Sequence, residues 1–229
     1  MGRAARIARR HGLGGVVRTY RQALPFWFHP LFLGIIVVIL GALALNQDLG
    51  IGAKIAGASV PVLFTLIAWW MLADVRMVLC EGGIVIGRFF PLLAPYVVPY
   101  GAIEPRGVTC VSDVGRLRVA TGRSYGSTLF HFAHSRRGVV FDGPPAARAR
   151  TRNVLLASSF DTAADTVRGG TLWAFAHRGS PEQLIAHLQN GLRAQGVPFA
   201  DALLATALPE RQIGTDPSEA RTSINGLAR

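Results

Sequence analysis

Cysteine, lysine and acidic side chains are all scarce in this chain of 229 residues, and each scarcity closes off a class of chemistry. Cys80 and Cys110 are the two cysteines, too far apart in sequence to form the close pair that a zinc site or a redox dithiol needs. On a cytoplasmic domain both stay reduced. Lys54 is the one lysine, and the rest of the positive charge is carried by arginine, a bias that points to a GC-rich bacterial genome and not to a site. Gly126-Ser127 lacks the Gly-x-Ser-x-Gly frame of a nucleophile elbow, and the Gly12–Gly15 run has neither the preceding strand nor the third glycine of a dinucleotide fingerprint. His131 and His134 fall at i and i+3 of a predicted strand, where they point to opposite faces, so no metal site is predicted. Asp161 and Asp165 read as a helix cap with a solvated neighbour, or else as paired carboxylates on one face of a short helix. His177, following Trp173 and Phe175, reads as a core neighbour at a strand end in preference to a general base. No catalytic constellation emerges; the chain is not predicted to be an enzyme, and no cofactor is predicted.

Charge is also missing from two long stretches. Leu31–Leu45 and Ile55–Leu72 contain no ionisable side chain, and with Phe26–Phe28 ahead of the first each approaches the roughly 20 residues that cross a bilayer core about 30 Å thick. Residues 31–72 are therefore read as a two-helix transmembrane hairpin, with Pro61 tolerated by a kink or by packing. A cleaved signal peptide ending near Ala42-Leu43-Ala44 fits less well, because the charged stretch ahead is too long and a second apolar segment follows.

The formal charge of +11 is unevenly spread. Residues 1–30 hold +6 from Arg3, Arg6, Arg9, Arg10, Arg18 and Arg21 with no acid; residues 31–73 are neutral, Asp48 offsetting Lys54. Residues 74–195 hold +6, from fourteen arginines against eight acids, and residues 196–229 hold −1. The positive-inside bias places the N-terminus in the cytoplasm, and two crossings return the chain to the same side. Trp27 before the first helix and Trp69-Trp70 at the end of the second mark one interface. The predicted location is the plasma (inner) membrane, multi-pass, with both termini cytoplasmic. Anionic lipid is the natural counterion, and no nucleic-acid reading motif is present.

Around the hairpin, residues 1–30 read as a loose basic segment up to residue 12 followed by an interfacial helix over Leu13–Leu24, from the spacing of Leu13, Val16, Val17, Tyr20 and Leu24. Residues 73–196 read as a mainly β domain with strands near 75–80, 83–89, 96–99, 107–112, 115–120, 128–134, 138–142, 153–158 and 171–177. The clearest alternation is Arg116-Leu117-Arg118-Val119. Ser180-Pro181-Glu182-Gln183 then supplies a capping box, and Leu184, Ile185, Leu188 and Leu192 an apolar stripe, for one closing helix. Residues 197–229 are predicted to be mostly disordered.

A membrane hairpin, an all-β domain and one capped helix resemble the bacterial pleckstrin-homology-like (PH-like) membrane proteins over roughly residues 59–195. The resemblance is carried by Val78–Val85 at the opening hairpin, Val98–Ile103 before the next strand and Ser180–Leu184 at the last helix. It implies a partly open β-barrel closed by the C-terminal helix, with a binding or scaffolding role at the inner face of the membrane. The first hairpin turn departs from the lipid-binding members of the wider superfamily, being acidic through Glu81 where they are basic. The residues singled out for binding are Arg136 and Arg137 at a turn and Arg148, Arg150 and Arg152 in the basic segment 143–152; they are either a solvated face or a contact for lipid phosphate or an acidic partner. Two other classes stay open. One is an accessory subunit of an envelope or transport complex, whose hairpin packs on a protein partner in the membrane through Gly34, Gly41, Ala42 and Ala44; the other is an enzyme without a recognisable motif.

Overall fold

The first strand of the β unit comes from ahead of the apolar hairpin. A computed structural model describes residues 2–48, 50–91, 93–121, 128–132, 134–151, 166–167, 170–208, 210–216, 218–219 and 224. The chain forms two compact units, one of Leu24–Asp74 and one that joins Met1–Ala23 to Val75–Arg229.

In the larger unit, helix α1 (Arg3–Arg10) lays Ala4, Ile7 and Ala8 on the outer face of a sheet, against Val78, Cys80, Val85, Phe89 and Val97. Gly12 and Gly14 then take left-handed conformations (φ +69 and +73) that reverse the chain. The glycine run passes so close to the β2–β3 turn that a Cβ at Gly14 would collide with the Glu81 carboxylate. Leu13 O accepts from Gly82 N (2.9 Å) and Gly15 O from Glu81 N (3.1 Å). Strand β1 (Val16–Arg21) follows. Thus residues 2–12, from the segment predicted to be loose, form a packed helix and turn, and the helix predicted over Leu13–Leu24 is replaced by the strand Val16–Arg21. Val16, Val17, Thr19 and Tyr20 are β-branched or aromatic, which favours a pleated edge, and the free side of β2 supplies the hydrogen bonds.

The smaller unit is the hairpin of α2 (Phe28–Leu45) and α3 (Ile51–Ala73). At 1.5 Å per residue they measure about 27 Å and about 34 Å. Both are long and apolar enough to cross a membrane. Val37, Val38, Val60 and Phe64 are 60–73% exposed, whereas a helix in a soluble core would bury them. Pro61 lies inside α3, and Thr65 Oγ1 donates to its carbonyl at 2.8 Å. At one end of the unit Trp69 Nε1 donates to His29 Nδ1 (3.1 Å) and its ring stacks on Phe32 at 5.8 Å.

The chain then re-enters the β unit as β2 (Val75–Cys80), β3 (Gly83–Arg88) and β4 (Tyr96–Pro99). With β1 they make an antiparallel sheet in the order β1-β2-β3-β4, with Tyr20 opposite Met77 and Arg21 opposite Arg76. A second sheet contains β5 (Glu104–Val111), β6 (Leu129–Phe130), β7 (Gly138–Gly143), β8 (Thr166–Val167) and β9 (Gly170–Ala176), ordered β5-β7-β9-β6 with β8 on β9. β6 is parallel to β9; the other pairs are antiparallel. Met77, Leu79, Ile84, Ile86 and Val98 of the first sheet share one core with Val108, Val139, Phe141, Trp173 and Phe175 of the second. Isolated bridges join Gln22, just after β1, to His177, just after β9, and Tyr96 of β4 to Arg150, but neither sheet closes into the barrel expected from the sequence.

Three further expectations are corrected. Residues 115–120 are no strand: a 3-10 turn at Val114–Arg116 leads into helix α4 (Leu117–Thr121), in which Thr121 Oγ1 donates back to Leu117 O at 2.9 Å. Among its described residues, the segment predicted over 128–134 keeps only Leu129–Phe130 as strand, and the one over 153–158 lies outside the described residues. The tail is also structured where it is described: helix α5 (Ala146–Ala149) and helix α6 (Pro181–Ala194) precede a 3-10 turn at Ala200–Ala202 and helix α7 (Leu203–Ala207). Leu203 and Ala207 join the main core, and Arg211 bridges to Val111 on the edge of β5. Ile213 and Ile224 are fully buried. Buried Gln189 holds the turn to α6 by donating to the carbonyls of Ala200 (3.0 Å) and Asp201 (2.7 Å).

Helix α6 begins as its cap predicts, with Ser180 Oγ accepting from Gln183 N at 3.4 Å and Leu184, Ile185, Leu188 and Leu192 buried. Gly191, which lowers intrinsic helix propensity by about 1 kcal/mol, is explained by the ring of Tyr100, which occupies the place of a Cβ. Tyr100 is itself buried and has no room to swing aside. Gly191→Ala should therefore lower the thermal unfolding temperature of the detergent-solubilised chain, the reverse of the usual effect of removing a helical glycine. Combining it with Tyr100→Leu should restore tolerance of the added methyl group; a stabilising Gly191→Ala would contradict the packing.

Candidate functional site

The arginines singled out from the sequence do not form one site. Arg136 and Arg137 precede β7, whereas Arg148 and Arg150 follow it; at about 3.3 Å per residue the strand separates the two tracts by roughly 20 Å. Arg137 Nε lies 3.5 Å from Glu210 Oε2, so its charge is shared with the C-terminal segment that pairs along β5. Arg136 is exposed, and its carbonyl accepts from Val114 N at 3.2 Å. Arg148 is exposed in the last turn of α5. Arg150 is half-buried, its backbone paired with Tyr96, and Arg152 lies outside the described residues. These residues serve two corners of the fold.

A different pair, Arg21 and Arg76, is brought together by strand register. Arg21 ends β1 opposite Arg76 on β2, and Arg88 ends β3 opposite Val75. Arg21 and Arg88 are exposed, while the Arg76 guanidinium sits 5.9 Å from the Phe89 ring centroid. Arg3, by contrast, is turned inward: its guanidinium donates to the carbonyls of Phe89 (2.6 Å), Phe90 and Leu93 (2.6 Å), fixing the β3–β4 connection. The Arg21–Arg76 pair was hidden in the sequence because the two residues are far apart in the chain, whereas Arg88, opposite core-facing Val75, lies on the other face of the sheet. The pair becomes visible once residues 16–21 are recognised as a strand.

The titratable groups of the interior are held neutral by burial. The Cys80 and Cys110 thiols are fully buried, and desolvation pushes them up to about 11 and about 12, out of the range of thiolate chemistry at neutral pH. His131 and His177 are both pushed below the ordinary histidine value, chiefly by burial. At the junction of the sheets, the His177 ring stacks on Phe175 and meets Tyr20 edge-on at 5.9 Å. His177 Nδ1 accepts from Gly179 N at 3.0 Å, which fixes the proton of the neutral ring on Nε2. The Tyr20 hydroxyl lies 2.8 Å from His187 Nδ1 and ties β1 to α6. His131 and His134 lie beyond the end of β6. Among the described residues no group of three or more His, Cys, Asp or Glu is placed to hold a metal ion, and Asp161 and Asp165 lie outside the described residues.

The sign of the pH dependence follows from the lowered histidines. Below the ordinary value of 6.5 the unfolded chain takes up protons that folded His177 and His131 refuse, so stability falls as pH drops through 6.5 and levels off only below the folded values. Thermal unfolding across pH 5 to 8 should show this decline, and His177→Phe should make it shallower. An unchanged slope in that variant would mean that folded His177 titrates normally.

Comparison of the chain with protein-family models, with curated proteins and with solved structures gives no match, so the functional reading rests on the chain's own residues.

Proposed function

We propose that this chain is a bacterial integral membrane protein whose apolar hairpin crosses the plasma membrane twice and displays, on the cytoplasmic side, a PH-like domain that binds or scaffolds a partner. The observation that carries the reading is the pairing of β1 with β2. These strands flank the hairpin, and because they belong to one sheet, both ends of the hairpin must lie on one side of any membrane it enters. A single crossing is incompatible with that pairing, and cleavage after Ala44 would remove the first strand from its sheet. The exposed apolar surface of both helices supports insertion, and the arginine excess before the hairpin supports a cytoplasmic β unit. A four-stranded antiparallel meander, a second sheet on the same core and an amphipathic helix over it support the PH-like assignment. The departures from it are the open sheets and the strand borrowed from ahead of the hairpin.

A second reading, the accessory subunit, is favoured by one feature of α2. A Cβ at Gly34 or Gly41 would meet nothing within 4 Å, so this small-residue face is not used to close the hairpin, unlike Gly57 against Leu43. Helices of another chain would find close approach there.

In intact cells, a membrane-impermeant thiol reagent should label Asn46→Cys and should miss Gly2→Cys and Gly214→Cys in a background of Cys80→Ala and Cys110→Ala. Labelling of both ends with a silent Asn46→Cys would reverse the orientation, and labelling of one end alone would rule out the double crossing.

A further inference from the structure

We propose that the outer edge of β5 is a docking site for an extended peptide of a partner protein, one with a carboxylate three positions ahead of a branched aliphatic side chain. Residues 210–213 of this chain, Glu-Arg-Gln-Ile, occupy it as a tethered self-ligand. This rests on the binding role proposed above and names the class of partner; it does not depend on insertion of the hairpin.

β5 lies at one end of the second sheet, with β7 on its inner side, and the C-terminal segment wraps around the other. Leu203 and Ala207 of α7 sit in the core that the two sheets share, whereas Ile213 is buried on the opposite face of the second sheet, with Val111, Val114 and Leu117. Between these anchors the backbone pairs with the edge at a parallel bridge of Val111 with Arg211. Arg211 N donates to Cys110 O at 2.8 Å, and Ser112 N donates to Arg211 O at 2.9 Å. Recognition of an added strand needs main-chain hydrogen bonds for affinity and side-chain seats for specificity, and both are present. The apolar seat takes Ile213, and Arg137, one residue ahead of β7, meets the Glu210 carboxylate at 3.5 Å.

The self-ligand fits incompletely, which leaves room for a better one. Glu210 Oε1 is buried without a hydrogen-bond partner, a cost that a carboxylate free to shift toward Arg137 avoids. Arg211 and Gln212 are exposed, and Gln212 Nε2 reaches Asp113 Oδ2 only at 3.5 Å. Tethering compensates: a segment attached just beyond α7 has a high effective concentration, so contacts that suffice within the chain are ones a partner's peptide must improve on. Charge selects the occupant. Arg136 and Arg137 are adjacent and exposed beside the bridge, so an acidic peptide is favoured over a basic one. The strand edge supplies the rest, since a backbone edge covered by so short a pairing accepts another strand.

The test uses the full-length protein in detergent and a synthetic peptide copying residues 208–216. In a background of Cys80→Ala and Cys110→Ala, the buried thiol of Ile213→Cys should react slowly with a soluble thiol reagent. Millimolar peptide should raise that rate about ten-fold by displacing the tethered segment, and a peptide with aspartate in place of its isoleucine should not. By fluorescence anisotropy, full-length Ile213→Asp, freed of its tethered competitor, should bind the unaltered peptide about 100-fold more tightly than the wild-type chain. Adding Arg137→Glu should abolish that binding, and a peptide with arginine in place of its glutamate should restore it. A labelling rate indifferent to peptide, equal affinity of the wild type and Ile213→Asp, or an affinity indifferent to the charge exchange would overturn the proposal. Should Ile213→Asp unfold, the labelling measurement, which keeps a small apolar side chain at that position, decides alone. A folded chain that ignores the peptide loses this surface and keeps the membrane-anchored reading, which the labelling of Asn46→Cys decides independently.

Discussion

The hydrogen bonds between β1 and β2 are the constraint on which the rest of the structure depends. They join residues separated in sequence by the whole apolar hairpin, and they complete the edge of the first sheet. The same short strand also fastens the sheets together. Gln22 N donates to Val75 O at 3.1 Å, and the next residue, Ala23, donates to Ala176 O at 3.0 Å, so the last turn of chain before the hairpin bridges both sheets. Losing β1 would expose the backbone donors and acceptors of β2, uncover the core beside Tyr20 and open the corner at His177. Folding of the β unit is therefore coupled to the hairpin: the strand made first must wait for both apolar helices before its partner exists. Closing so long a loop costs entropy that grows only slowly with its length, and pairing of the two helices shortens the effective gap.

Behind that edge, the core is held by large rings in fixed relation. Trp173 lies edge-on to Tyr96 at 5.3 Å and stacked on Phe141 at 6.2 Å, and its Nε1 donates to Pro144 O at 3.0 Å. It thereby joins a strand of each sheet and satisfies its own polar atom, as a buried indole requires. Helix α6 covers the same core, and its chemistry is local: Ser180, Pro181 and the Leu184–Leu192 stripe need no distant partner to be recognised.

That distinction explains how much was legible in the sequence. The hairpin, the β2–β3 pair and α6 were readable because each is specified by contiguous residues: an uncharged run, two alternating segments about a glycine turn, a cap followed by a stripe. β1 was not, because Val16, Val17 and Tyr20 also fit a helical spacing, and a mostly exposed edge strand of six residues has little alternation to contradict it. Arg116–Val119 misled in the opposite sense, since four alternating residues fit one helical turn as well as a strand, and burial of Leu117 in the second cluster decided for the turn. In the C-terminal segment, Ile213 and Ile224 act as single anchors, which leave no periodic signal. The arginine tracts were conspicuous because they are contiguous, yet β7 holds them apart, while Arg21 and Arg76 are brought together only by register. Sites made by long-range pairing stay invisible until the pairing is known.

The claim that carries the account is the pairing of β1 with β2 across the apolar hairpin, and a cross-link tests it directly. In membranes, with Cys80→Ala and Cys110→Ala as background, Arg21→Cys and Arg76→Cys should form a disulfide on mild oxidation, because opposite residues of adjacent antiparallel strands lie within the Cα separation that a disulfide accepts. After cleavage at a protease site built into the Asn46–Gly50 turn, the fragments should then run together on a non-reducing gel. The pair Arg21→Cys with Glu81→Cys, at opposite ends of the strands, should leave them separate. Fragments that separate in the first case, or that join equally in both, would contradict the shared sheet.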